Sequence, residues 1–198
     1  MLVNGKTLII IVLAVIIAFM SWSYPNIIRP EGVWTNDHDY DFFLQVMLPR
    51  FGLVISGFIG ACGAFAMANE LTKNEIYKGF IDQSHILLII GCGALIYGMW
   101  SWDRTYQMFY CILGGPFIGM GVFNLLKKMK LFQKKSIAIT ISGLLLIATY
   151  PFISVGEPSP FDRYQGIPII NGGTGLMILL SALSGSIAMC HMLLKKTP

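Results

Sequence analysis

The sequence predicts an all-α, polytopic integral membrane protein whose six transmembrane helices form three tandem hairpins. Of 198 residues, 55% are hydrophobic and only 12% charged, with mean hydropathy +0.68; so little charge cannot cover a water-facing surface, and a soluble globular domain is excluded. Six apolar runs, 7–24, 51–69, 84–102, 106–126, 136–155 and 171–194, contain no Asp, Glu, Lys or Arg. Each can cross a hydrocarbon core of about 30 Å at about 1.5 Å per helical residue. Barrel strands would instead appear as alternating segments of about ten residues. The connections sort their charges by side, which gives the helices a direction. No linker or separately folding polar segment interrupts the chain, so residues 1–198 are expected to form one transmembrane domain.

The first run follows Lys6. A lysine ahead of an apolar stretch is also the layout of a secretory leader, but Trp22 and Tyr24 crowd the small residues Ser21 and Ser23 that cleavage would need, and a retained helix is expected. The connection that follows, 25–50, is the longest and carries Asn36-Asp-His-Asp-Tyr-Asp41. Asp37, His38, Asp39 and Asp41 place oxygen and imidazole donors close together, but the Gly and downstream Glu of a calcium-binding loop are missing. A solvated acidic loop is the expectation, with no metal and no cofactor.

The second run holds a stripe of small residues, Gly52, Ser56, Gly60, Ala64 and Ala68, each four apart, flanked by Gly57 and Ala61. Such spacing puts them on one helix face, where small side chains let membrane helices approach closely. Ala94 and Gly98 in the third run, Gly115 and Gly119 in the fourth, and Ser181 and Gly185 in the sixth repeat the pattern. Dense packing within the chain is expected, and the same faces suit a homo-oligomer or another membrane protein.

In the fourth run Pro116, within Gly114-Gly-Pro-Phe-Ile-Gly119, removes a backbone hydrogen bond and predicts a kink. The fifth run carries Tyr150-Pro151 close to its outer end, as Tyr24-Pro25 stands at the end of the first; aromatic residues at these ends suit the headgroup level. The sixth opens on Asn171-Gly-Gly-Thr-Gly175, a flexible helix start without the Gly-Lys-Ser/Thr of a phosphate-binding loop. Cys62, Cys92, Cys111 and Cys190 all lie in apolar runs without a Cys-x-x-Cys pair, which disfavours a disulfide framework or zinc ribbon.

With both termini cytoplasmic, all ten lysines and three acids face inward, and all four arginines and seven acids face outward. The nets are +7 and −3, which make up the formal +4. The positive-inside rule therefore predicts a multi-pass protein of the bacterial plasma membrane with inner termini. The densest inner patch is Lys127-Lys-Met-Lys130 with Lys134-Lys135. The outer connections gather Asp37, His38, Asp39, Asp41, Arg50, Asp103, Arg104, Asp162 and Arg163, the one set whose chemistry suits a ligand.

Leu48-Pro-Arg-Phe51 ahead of a Gly- and Ala-rich helix resembles the opening of permeases from bacterial iron-siderophore and cobalamin importers. The Asn-Pro-Leu expected after that helix is replaced by Asn69-Glu-Leu-Thr-Lys-Asn74, the rest of the chain shows nothing similar, and no family is assigned. The functional expectation is transport of a small solute or service as an accessory subunit of a membrane transport complex. The alternatives are a non-catalytic membrane partner of immunity type and, more remotely, an enzyme with an outer Asp/His/Arg site. The apolar runs lack the intramembrane charge that ion-coupled carriers use, and enzymatic chemistry is not expected. The expected surroundings are the lipid bilayer and a membrane partner; no nucleic acid is expected.

Overall fold

The computed structural model describes residues 4–28, 47–100, 104–154 and 169–194, with side chains defined in 4–21, 47–97, 113–153 and 175–194. The described residues are helical and include no strand. The helices are α1 (Gly5–Ile28), α2 (Leu48–Leu71), α3 (Glu75–Asp82), α4 (Ser84–Trp100), α5 (Arg104–Gly121), α6 (Phe123–Lys128), α7 (Lys135–Ile147), α8 (Tyr150–Ser154) and α9 (Ile169–Leu194), with a 3-10 turn at Lys130–Gln133. Leu48–Leu71, Lys135–Ile153 and Gly175–Leu194 are long and apolar enough to cross a membrane; a fourth stretch qualifies if the bent pair α3 and α4 counts as one span.

Where it is described, each apolar run is largely helical, and the differences lie at the seams. The fourth run is interrupted for one residue at Val122, although Val122 N–H still donates to Ile118 O (2.9 Å) and Leu126 N–H to Val122 O (2.9 Å). The fifth breaks at Ala148–Thr149, where Thr149 Oγ1 donates to Leu146 O at 2.7 Å just ahead of Pro151, a residue with no N–H to continue the ladder. At Pro116 the helix does not stop: α5 continues through it to Gly121. Asn171–Gly175 falls within the first turns of α9, which begins at Ile169. The sequence expectation passed over α3, placed between the second and third runs. Asn74 caps it, its side-chain oxygen accepting from Ile76 N–H at 3.0 Å, and the axis bends by 52° into α4.

Helices α2 and α9 form the centre. α1, α5 and α9 pack around α2, while α9 also meets α4, α5 and α7. Consecutive long rods run in opposite senses. One end gathers the start of α1, the end of α2, α3, α6, the 3-10 turn and the end of α9, tied by Asn4 N–H to Glu70 (2.8 Å), Asn124 Nδ2 to Ile81 O and Ser84 Oγ (3.3 Å), and His191 Nδ1 to Gln133 O (2.9 Å). The other end brings Arg50 at the start of α2 to α8. The core between α2, α6 and α9 is closed by Phe65 and Phe123, edge to face with centroids 5.0 Å apart, together with Ile118, Ile178 and Ala182.

Candidate functional site

The outer charged set divides. Asp37, His38, Asp39, Asp41, Asp103, Asp162 and Arg163 lie outside the described residues, and Arg104 starts α5 without a defined side chain. Arg50 is placed: its guanidinium donates to the carbonyls of Phe152 (3.3 Å) and Ile153 (3.2 Å). Those carbonyls belong to the last described turn of α8, the end of a helix that a cation complements through the helix dipole. Among the described residues Arg50 thus joins the start of α2 to the close of the α7–α8 rod.

The small-residue stripe is the built part of the molecule. Its members face different neighbours. A side chain at Gly52 would run into Ser21 of α1, Ser56 Oγ donates to Ala14 O at 2.8 Å, and Gly60 lies where an added Cβ would touch both Ala14 and the Pro116 ring at 3.4 Å. Ala64 is buried in the same face. The flanking positions carry the closer crossings. A Cβ on Gly119 would stand 2.5 Å from Ala61 O and 2.6 Å from its Cα, and one on Gly115 would stand 3.3 Å from the Gly57 backbone. A Cβ on Gly185 would collide with Phe58 O, beside the Cys62 Sγ that donates to Gly185 O at 3.2 Å. At these points helix backbones touch, which only glycine permits.

Polar groups inside the bundle are paired, and among the described residues no buried side-chain nitrogen or oxygen is left without a partner. Ser142 of α7 and Ser184 of α9 form a reciprocal clasp: their hydroxyls are 2.7 Å apart, Ser184 Oγ lies 2.8 Å from Ser142 O, and Ser142 Oγ lies 3.2 Å from Ser184 O. Glu70, at the end of α2, accepts from Asn4 N–H with one oxygen and from Thr7 Oγ1 (2.9 Å) with the other, so a carboxylate caps the start of α1. Glu70, Ser142 and Asn124 were not singled out from the sequence. The available signal was simple: isolated polar residues inside or at the rim of apolar runs must find a partner. Cys62, Cys92 and Cys190 are free thiols, and no group of three or more His, Cys, Asp or Glu side chains suited to a metal occurs among the described residues.

What this arrangement does chemically is hold helices together. Glu70 and Asn74 cap, Ser142 and Ser184 clasp, and Arg50, Ser56, Asn124 and His191 tether one element to another. Comparison with family models, with curated proteins and with solved structures gives no match for the chain.

Proposed function

We propose that the chain is a six-span accessory subunit of a membrane complex in the bacterial plasma membrane, with both termini and the lysine-rich end in the cytoplasm and no catalytic chemistry of its own. One observation carries this reading. The centre, where a solute path through so small a bundle would run, is occupied by backbone lying on backbone, Gly119 on Ala61 and Gly185 on Phe58. The perimeter is its opposite: α1 presents Leu8, Ile9, Val12, Leu13, Ile16 and Phe19 outward, and α7 presents Ile139, Leu144 and Ile147. A body with a solid interior and large apolar side chains outside is suited to lipid and to a partner's helices.

The test is extraction in mild detergent followed by mass measurement. Elution in a stoichiometric complex with a second membrane protein is expected; a monodisperse 22.0 kDa monomer from membranes of the native host overturns the proposal. Passage of a small uncharged solute is the second reading. It is favoured by Pro116, which has no N–H for the carbonyl one turn earlier in α5 and whose ring lies against Gly60. Solute uptake by proteoliposomes of the purified chain alone decides for it.

A further inference from the structure

We infer that the lysine-rich end is a binding collar for anionic phospholipid, formed by α3 and the segment 127–135. The first observation is the uncovered half of α3. At about 100° per residue, Ile76, Phe80, Tyr77 and Ile81 fall within an arc of about 140°, and Lys78, Asp82, Glu75 and Gly79 occupy the rest. The protein covers only part of that apolar arc. Ile81 is fully buried and Tyr77 packs against the core, while Ile76 is 82% exposed and Phe80 53% exposed. A helix with a polar face and an apolar edge, set at 52° to the long α4, matches a segment lying at the boundary of headgroups and acyl chains.

The second observation is charge. The segment 127–135 carries Lys127, Lys128, Lys130, Lys134 and Lys135 and no acid, all exposed. Between them Met129 and Leu131 are also exposed, while Phe132 is buried and pins the turn to the same core that holds Ile81. Lysines alternating with outward apolar side chains are complementary to a phosphate layer overlying acyl chains. On α3 the acids are partly answered from within, Glu75 lying 3.6 Å from Lys78 Nζ, so the attraction for anions comes from the 127–135 side of the collar and the apolar contact from α3. This rests on membrane residence and not on the accessory role.

The experiment uses the full chain in proteoliposomes, with spin-labelled phosphatidylglycerol and phosphatidylcholine read by electron spin resonance. The expected result is a several-fold higher association of the anionic lipid. That preference collapses when salt is raised from about 0.1 M to about 1 M, as the screening length falls from about 10 Å to about 3 Å. Replacing the five lysines by glutamine brings the ratio to near one, and replacing them by arginine retains it. The pair Ile76→Ser with Phe80→Ser lowers the immobilised fraction of both lipids and leaves their ratio. Equal association of the two lipids with the wild-type chain, or a preference indifferent to salt, overturns the inference even if the lysine variant fails to fold. An unchanged immobilised fraction in the serine pair removes α3 from the collar. Absence of any immobilised lipid overturns membrane residence itself, a different failure.

Discussion

Helix α2 and the α7–α8 rod reach the same mean hydropathy over a membrane-length window, 1.9, yet 61% of the first window is buried in the protein and 22% of the second. Hydropathy therefore does not decide which helix is central. Side-chain size does. α2 reads Gly52, Ser56, Gly57, Gly60, Ala61, Gly63 and Ala64 along its contact faces, whereas α7 turns Ile139, Leu144 and Ile147 outward and keeps Ser142 for α9. In lipid, where apolar surface gains little by leaving one apolar neighbour for another, close backbone approach and buried hydrogen bonds replace hydrophobic drive.

This contrast can be broken most sharply at Gly119. Gly119→Leu would push into the α2 backbone at Ala61, an atom set that cannot rotate away, and should cost about 3 kcal/mol or more. Gly143→Leu on α7, where an added Cβ meets nothing within 4 Å, is the matched control. Thermal unfolding in detergent should show a large drop in Tm for the first and almost none for the second; equal drops would end the size explanation.

Smaller effects refine the same division. Glu70→Ala removes the cap that fastens the start of α1 to the end of α2 and should cost about 1 kcal/mol. Amide exchange of Leu8–Ile10 should then accelerate selectively, and exchange unchanged from wild type would deny Glu70 that role. The Ser142 and Ser184 clasp should show a coupling of about 0.6 kcal/mol in a double-alanine cycle, the average for hydrogen bonds between membrane helices. Additive single effects would reduce the clasp to coincidence of position. Leu144→Ala, on the outward face of α7, should shift stability by less than about 0.5 kcal/mol, the smallest effect of the set. A cavity-sized loss there would mean that α7 is covered by something.

The long helices were legible because a run such as 51–69 without charge has few alternatives. The seams were not. Val122 is as apolar as its neighbours, no charge marks Ala148–Thr149, and α3 is only eight residues long, too short to register against apolar runs of membrane length. The stripe at Gly52, Ser56 and Gly60 could be read as a face, yet its division of labour could not. Which glycine meets α1 and which position meets α5 depends on a rotation that spacing alone leaves free. The sequence places Arg50 only as one of the charges of the outer face; that it donates to the backbone carbonyls of Phe152 and Ile153 could not be read there, because carbonyls are present at every position and are silent in a sequence.

The bond from Cys62 to Gly185 spans 123 residues, and that distance has a meaning during synthesis. The hairpin of α1 and α2 can zip as soon as α2 emerges, since Glu70 and Ser56 find their partners within it. The opposite flank of α2, at Gly57, Phe58 and Ala61, must wait until α5 and then α9 arrive. For that interval the most interior helix of the finished protein is a half-covered one. A chain halted between α5 and α9 would leave that glycine-lined flank of α2 open.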